Sequence, residues 1–193
     1  MRSERRLAKL ESVIRHRQPD LTVVLENIHD PHNVSAILRS CDASGVMEVQ
    51  LVYTDEKFPK LGKKSSASAK KWVEHRDFDS IGRCYDTLHR EGFAIYATHL
   101  GGKTTPLYEL DLTIKSALVF GNEHRGVSEE ASELADGNFM IPMVGMIQSL
   151  NVSVACAVSL FEAVRQRIAA RRYDKSAFSD KDVKKFVKKW AMK

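Results

Sequence analysis

The stretch IPMVGMIQSLNVSVACAV, residues 141–158, joins two apolar segments through the small polar side chains of Gln148, Ser149 and Asn151. The first segment belongs to a predicted short buried strand over 138–143. From about Leu150, apolar residues recur at helical spacing and predict a long helix. Its apolar stripe consists of Val154, Ala157, Val158, Phe161, Val164 and Ile168. Either Ser149 or Asn151 is suited to cap this helix, because a short side-chain oxygen accepts hydrogen bonds from unpaired helix N–H groups.

Upstream of this joint, strand-like and helix-like segments alternate. Apolar and β-branched runs predict strands over 21–28, 48–53, 72–78, 93–100 and 116–121. Amphipathic runs that end at a glycine predict helices over 32–45 and 79–92, and Ser128 with two following acids predicts a further helix start. The polar segment 54–71 predicts a loop. The alternation predicts an α/β fold whose mainly parallel sheet is flanked by helices.

The composition is that of an ordinary globular protein of 193 residues, 43% hydrophobic and 28% charged. No apolar run approaches the ~18 residues of a membrane span, and the charged N-terminus lacks the apolar core of a signal peptide. We therefore expect a cytoplasmic protein that has no membrane partner. The histidines lack metal-ligand spacing, so no metal is expected. The widely separated Cys41, Cys84 and Cys156 predict buried thiols rather than disulfides.

The net charge of +5 is concentrated at the two ends of the chain. The basic residues near the N-terminus are Arg2, Arg5, Arg6, Lys9, Arg15 and Arg17. Those near the C-terminus are Arg165, Arg167, Arg171, Arg172, Lys175, Lys181, Lys184, Lys185, Lys188, Lys189 and Lys193. This distribution fits basic helical extensions over 1–18 and 171–193 that flank a domain over 19–170 and bind a phosphate backbone. Two solvated helical faces explain the charge equally well.

Several polar loops follow predicted strands, where ligands bind in open α/β sheets. They contain Asn33 and Arg39, Gly101, Glu123, and the polar joint at 148–151. Each also has a purely structural explanation. Asn33 could cap the helix after Pro31, Arg39 could be a surface arginine, and Glu123 could form a loop ion pair with Arg125. Neither GxGxxG nor GxxxxGK[ST] occurs, so the sequence predicts neither a classical dinucleotide site nor a P-loop.

Considered together, three motifs resemble the signature motifs of the SPOUT class of RNA methyltransferases. They are NVSAILR (33–39), GNEHRGVS (121–128), and IPM (141–143) followed by SLNVSVA (149–155). The resemblance extends over essentially the whole chain and is strongest to the TrmH family of tRNA guanosine-2′-O-methyltransferases. It implies a homodimer with a Rossmann-like sheet and a C-terminal deep trefoil knot, a topology that general connection rules would suggest last.

The resemblance further implies S-adenosylmethionine as the cofactor, which needs no glycine-rich phosphate loop because it has no pyrophosphate. The implied cofactor-binding residues are Thr98, His99, Leu100, Gly101, Gly121, Asn122, Glu123, Ile141, Met143, Ser149, Leu150 and Asn151. The implied catalytic residues are Arg39, Asn33, Glu123, Ser149 and Asn151, with Arg39 as the key group. Because the pKa of free arginine exceeds ~12, we expect Arg39 to stabilise a developing alkoxide or bind a neighbouring phosphate rather than act as a base.

The two basic extensions favour tRNA as the substrate, with guanosine 18 of the D-loop as the methylated nucleotide. The residues expected to contact RNA are Arg5, Arg6, Arg15, Arg39, Arg171, Arg172, Lys184 and Lys185. Two alternatives stay open: 2′-O-methylation of ribosomal RNA, and a non-catalytic RNA-binding knot protein. Enzymes of the ribosomal type usually carry an extra N-terminal RNA-binding domain, for which the residues before Leu21 leave no room.

Overall fold

The computed structural model of the chain describes residues 4–54, 57–59, 71–101 and 103–193. Within these residues the strands are β1 (Leu21–Glu26), β2 (Glu48–Val52), β3 (Glu74–Phe78), β4 (Ala94–Thr98), β5 (Thr105–Pro106), β6 (Ser116–Phe120) and β7 (Gly137–Met140). The helices are α1 (Glu4–Arg15), α2 (Pro31–Ser44), α3 (Ile81–Arg90), α4 (Glu129–Glu133), α5 (Val152–Ala169) and α6 (Asp180–Ala191), with a 3-10 turn over Leu107–Glu109.

All the strands join one sheet in the order β3-β2-β1-β6-β4-β7-β5, and every pair of neighbours is parallel. The central strands β1 and β6 are buried along their whole length, as expected when helices cover both faces of a parallel sheet. The predicted α/β class is therefore confirmed. The strand order reverses between β1 and β6, because the chain leaves β1 towards β2 on one side and later returns to β6 on the other.

The helix caps show which polar residues act as local structural elements. Asp30, not Asn33, caps α2: its side chain accepts a hydrogen bond from the backbone N–H of His32, and Pro31 occupies the first helical position. The explanation of Asn33 as a cap is therefore wrong, since Asn33 lies inside the helix and is buried. Asn151 caps α5 through the backbone N–H of Ser153, which confirms one of the two predicted caps.

Helix α5 has one buried face and one exposed face. The buried face includes Cys156, Leu160 and Ala163 and packs in the core that α2 also lines. Three residues of the predicted apolar stripe lie on the other face, where Val154, Phe161 and Ile168 are 46%, 52% and 60% exposed. A core within a single chain therefore does not account for these three residues.

The terminal helices α1 and α6 pack against each other around a small core of their own. Leu10 and Ile14 of α1 meet Val183 and Trp190 of α6, and the ring of Trp72 lies 5.2 Å from that of Trp190. The helical character of both extensions is thus confirmed. The division of the chain at 18/19 and 170/171 stays a prediction, as does the trefoil knot.

Two arginines from the basic ends of the chain are completely buried and structural. Arg167 donates to the carbonyl oxygens of Leu112 (2.9 Å) and Ile114 (2.8 Å) and to the Asp20 carboxylate (2.5 Å). Arg17 donates to the carbonyl oxygen of Val46 (2.8 Å) and pairs with the carboxylate of Asp42, which lies on α2. Neither arginine is accessible, so these two basic residues at the ends of the chain are structural and cannot contact RNA.

The three cysteines are free and buried, as predicted. The loop predicted over 54–71 falls mostly on residues 55–56 and 60–70, which lie outside the described residues. In the part of the chain that is described, no helix is long and apolar enough to cross a membrane.

We expect Arg167→Met to lower the free energy of unfolding by about 3–5 kcal/mol, because it leaves buried carbonyl groups and a carboxylate without their donor. The measurement is urea unfolding at neutral pH. Arg165→Met is the matched control: Arg165 lies two positions away, pairs with Glu162 and is mostly exposed, so its loss should cost less than ~1 kcal/mol. Equal midpoints for the two variants would contradict a structural role for Arg167.

Candidate functional site

The candidate site lies at the carboxyl ends of β1 and β6, where the strand order reverses. This is the position at which open α/β sheets form a ligand crevice. Asn27, which follows β1, adopts a left-handed conformation with φ of 49°. Its side-chain oxygen accepts from the backbone N–H of Thr54 (3.0 Å), and its carbonyl oxygen accepts from the side-chain amide of Asn122 (2.9 Å). Asn27 therefore links the ends of β1, β2 and β6.

The loop after β6 is a tight turn whose first residue must be glycine. A Cβ atom on Gly121 would lie 2.1 Å from the carbonyl oxygen of Gly126, far inside any van der Waals contact. The backbone N–H of Gly126 donates to the carbonyl oxygen of Asn122 (2.8 Å), and the Asn122 side chain accepts from the N–H of His124 (3.0 Å). These contacts hold Glu123 in a fixed position facing the loop after β1.

The Glu123 carboxylate accepts three hydrogen bonds from the segment that follows β1. The donors are the backbone N–H groups of His29 (3.1 Å) and Asp30 (3.1 Å) and the side-chain amide of Asn33 (2.8 Å). The side-chain oxygen of Asn33 in turn accepts from the Asn151 amide (3.0 Å). A continuous chain of hydrogen bonds therefore joins the three sequence motifs, although Asn33 and Asn151 are 118 positions apart.

Glu123 is held in its ionised form. Burial alone would raise its pKa, but the hydrogen bonds from Asn33, His29 and Asp30 act in the opposite direction and hold the pKa below its ordinary value. A carboxylate whose oxygens already accept three N–H groups is a weak base. Glu123 therefore orients the site rather than removing a proton.

Arg39 and Ser149 do not take part in this hydrogen-bond chain. Arg39 lies on α2 six residues after Asn33. This spacing is a rotation of roughly 600° about the helix axis, so the two side chains point in different directions. The side chain of Arg39 is exposed. It has no side-chain partner among the described residues, so its guanidinium is available to a ligand. Ser149 is exposed in the coil that precedes α5.

The other residues expected at the cofactor lie at adjacent strand ends, because β6, β4 and β7 are neighbours in the sheet. Thr98 ends β4, and its hydroxyl donates to the carbonyl oxygen of Val119 (3.0 Å). The backbone N–H of His99 donates to the carbonyl oxygen of Phe139 (3.0 Å). Leu100 and Gly101 follow and are exposed. The structure thus brings the segments 98–101, 121–123 and 141–143 to one edge.

Residues 141–150 have the properties of a ligand-binding segment. They contain no helix or strand, and no backbone–backbone hydrogen bond joins them to other described residues. Ile141 packs partly against the core, Met143 is half-buried and Leu150 is exposed. Apolar side chains beside available backbone N–H and C=O groups fit a ligand that has a flat apolar face and a polar edge. The described residues contain no group of three or more His, Cys, Asp or Glu side chains that could hold a metal ion.

Sequence reasoning missed two residues of the site, Asn27 and Asp30. Both carry recognisable signals. Asn tolerates a left-handed conformation directly after a strand better than most residues do. Asp before Pro is a strong helix start, because aspartate caps well and proline fits the first helical position.

Comparison with known proteins identifies the family. The profile described as the SpoU rRNA Methylase family matches residues 20–161. The chain belongs to the SpoU rRNA methylase family. This confirms the predicted resemblance and, with it, the fold class apart from the knot.

Three members of the family show the extent of the similarity. A tRNA (guanosine(18)-2'-O)-methyltransferase from Thermus thermophilus is 47% identical over 192 residues, which cover 100% of this chain and 98% of that protein. The crystal structure of the Aquifex aeolicus TrmH/SpoU tRNA modifying enzyme superposes with a TM-score of 0.91 at 40% identity, covering 98% of this chain and 96% of that one. The SpoU methyltransferase AviRb from Streptomyces viridochromogenes, solved with the cofactor AdoMet, has a TM-score of 0.71 at 28% identity, covering 81% of this chain and 64% of that one.

We expect Glu123→Gln to destabilise the protein at neutral pH and to matter less in acid. The folded-state pKa of Glu123 is depressed, so its ionised form stabilises the fold above the unfolded value of 4.5. That contribution is lost as the pH falls through the folded-state pKa. Urea unfolding from pH 7 to pH 3 should show the difference between wild type and variant shrinking below about pH 4.5. Glu133→Gln, at an exposed position of α4, is the control, and a difference that does not depend on pH would contradict this prediction.

Proposed function

We propose that this chain transfers a methyl group from S-adenosylmethionine to the ribose 2′-hydroxyl of guanosine 18 in tRNA. The observation that carries the proposal is the hydrogen-bond chain Glu123–Asn33–Asn151 at the switch point of the sheet. It occurs in a chain that is similar, over its full length, to a tRNA (guanosine(18)-2'-O)-methyltransferase. A cytoplasmic location is consistent with a tRNA substrate.

S-adenosylmethionine supplies a methyl group already activated by the positive sulfonium. The segments proposed to hold it are 98–101, 121–123, 141–143 and 149–151, which include every cofactor-binding residue expected from the sequence. Backbone groups of 141–150 are available to the polar edge of the adenine, and Ile141, Met143 and Leu150 offer apolar contacts to its faces. Asn122 and Gly121 keep the loop after β6 in the shape that this requires.

The ribose hydroxyl is the less reactive partner and must be oriented while it loses its proton. Arg39 is the proposed catalytic group: its exposed guanidinium stabilises the developing alkoxide or binds the adjacent phosphate. Glu123 and Asn33 keep in place the start of α2, the helix that carries Arg39. Asn151 couples this arrangement to the N-terminus of α5, and Ser149 lies in the segment proposed to contact the cofactor.

The basic residues proposed to contact RNA form two groups. Arg15 already pairs with Glu11 and Asp180, Arg171 with Asp174, and Arg172 with Asp20. Those three must exchange a carboxylate for a phosphate, which lowers their net contribution to binding. The others are exposed and have no carboxylate partner within the described part of the chain: Arg5, Arg6, Arg39, Lys184 and Lys185.

A homodimer is proposed from the exposed apolar surface of the C-terminal half. Val144, Met146 and Ile147 project from the segment before α5, and Phe161 and Ile168 continue along the exposed face of that helix. Monomeric proteins rarely leave so many large apolar side chains in water. A second copy that covers this surface would also close over the segment proposed to bind the cofactor.

We expect the protein to transfer labelled methyl from S-adenosylmethionine to unmodified tRNA, and mapping of the product should place the label at guanosine 18. Arg39→Ala should lower the single-turnover rate by about 10²–10³-fold, because it removes the group that stabilises the alkoxide. Calorimetric titration should show cofactor affinity essentially unchanged.

The controls separate the possible roles. Arg39→Lys retains the charge without the planar fork and should give an intermediate rate. Loss of cofactor binding in parallel with transfer would make Arg39 structural. Methylation of ribosomal RNA in preference to tRNA would favour the ribosomal alternative. If neither the wild type nor the variants bind the cofactor, the chain is a non-catalytic RNA-binding protein.

We expect Phe161→Asp to convert the dimer into a monomer, since it places a charge in the middle of the proposed apolar interface. Analytical ultracentrifugation of wild type and variant at matched concentrations measures this. Leu134→Asp is the control, because Leu134 is similarly exposed but lies outside this surface, at the end of α4. A monomeric wild-type protein would rule out the proposed interface.

A further inference from the structure

A second cleft, of about 660 Å³, opens on the same edge of the sheet as the candidate site. One wall is formed by the end of β3, from Asp77 to Asp79. The other is a single face of α3, on which Arg83, Asp86, Thr87 and Arg90 recur at helical spacing. The volume lies in the range of small-ligand sites in proteins, roughly 300–1,000 Å³. None of the catalytic or cofactor residues discussed above lines this cleft.

The cleft is physically joined to the methyl-transfer site. Tyr53, which follows β2 and lines the cleft, donates its hydroxyl hydrogen bond to the carbonyl oxygen of Ile28 (3.1 Å). Ile28 precedes His29, whose backbone N–H binds the Glu123 carboxylate. Since β1, β2 and β3 are adjacent and parallel strands lie ~4.8 Å apart, the ends of β1 and β3 are about 10 Å from each other. The cleft and the loop that binds Glu123 therefore open on the same edge of the sheet, about 10 Å apart, a distance that one or two nucleotides of RNA can span.

The charges in the cleft favour a nucleobase over a phosphate. Its three aspartates, Asp77, Asp79 and Asp86, outnumber its two arginines, so the local field repels an anion. Both guanidinium groups are held against the helix: Arg83 donates to Asp79 (2.8 Å), and Arg90 donates to the Asp86 carbonyl oxygen (3.1 Å). The Asp86 carboxylate has no side-chain partner among the described residues and is exposed, which leaves it free to accept hydrogen bonds.

The rings of Tyr53 and Phe78 also line the cleft. Each already has a neighbour: the Tyr53 ring lies edge-on to that of Phe58 at 5.2 Å, and the Arg76 guanidinium lies 5.9 Å from the Phe78 ring. Bases in single-stranded RNA loops are read by stacking on aromatic rings and by hydrogen bonds to their edges. A carboxylate only accepts hydrogen bonds. Guanine presents two adjacent donors, N1–H and the 2-amino group, which one carboxylate can accept together. Adenine presents an unprotonated N1 at the same place, which a carboxylate repels.

We infer that this cleft binds a guanine base of the tRNA that lies within two nucleotides of the methylated guanosine, with Asp86 accepting from its Watson–Crick edge. This inference rests on the proposed function. It adds a base-specific contact beside a reaction that otherwise engages ribose and phosphate. Recognition of tRNA by this protein would then depend on the sequence next to the methylated position.

The test is a cycle between protein and RNA variants, read as kcat/KM for methyl transfer to unmodified tRNA. Asp86→Asn should lower kcat/KM by at least about tenfold, since it removes hydrogen bonds to a charged acceptor. Inosine, which lacks the 2-amino group, replaces each guanosine within two positions of the methylated one in turn. At the recognised position inosine should reduce kcat/KM for the wild type and cause little further loss for Asp86→Asn. Glu133→Gln is the control acid outside the cleft and should respond to inosine as the wild type does.

Two results would overturn the inference. One is an unchanged kcat/KM in a folded Asp86→Asn protein. The other is that, at every position, the loss caused by inosine is the same in Asp86→Asn as in the wild type. Asp77→Asn, on the opposite wall, provides a second reading if Asp86→Asn is found unfolded by its thermal transition. Cofactor affinity, measured by calorimetry, should be the same in all variants. If the wild-type protein methylates no tRNA at all, the proposed function fails instead, so the two failures are distinguishable.

Discussion

The candidate site depends on one interaction, the acceptance by the Glu123 carboxylate of three N–H groups from the segment after β1. The donors follow β1 and the carboxylate follows β6, on opposite sides of the point where the strand order reverses. The carboxylate therefore holds together two loops that the sheet alone leaves separate. The same hydrogen bonds keep its pKa low and its charge in place. Asn33 also accepts a hydrogen bond from Asn151, so the start of α5 is linked to the Glu123 carboxylate through Asn33.

The rest of the molecule is arranged so that this edge of the sheet stays accessible. The central strands are buried on both faces of the sheet. Helix α5 covers one of these faces, and its inward side includes the buried Arg167. Arg167 holds the residues around Asp20 and Leu112 at the amino edge of the sheet, away from the site. The exposed face of α5 and the apolar segment before it form the proposed interface with a second copy. Helices α1 and α6 form a separate small core with Trp72.

Much of the fold could be predicted from local patterns, and the errors share one cause. All the strands except the two-residue β5, which the sequence did not predict, follow from local periodicity, as do the major helices. The Ser128 and Asn151 caps follow from cap chemistry, which is also local. The sequence left open whether Arg17, Arg167 and the residues Val154, Phe161 and Ile168 lie at the surface or in the core, because that depends on what each side chain meets across the fold. Sequence spacing shows which residues share a face of a helix but not whether that face turns inward.

The polar joint at 148–151 illustrates the same boundary. The sequence by itself determined that a strand ends, a helix begins and an asparagine caps it, since an amide oxygen satisfies helix N–H groups wherever it stands. Its motifs also determined the family. Only the tertiary structure decided that the capping Asn151 binds Asn33, that Asn33 binds Glu123, and that the side chain of Arg39 is exposed. The physical reason is that hydrogen bonds form between groups brought within about 3 Å, and only the folded sheet brings residues 118 positions apart to that distance.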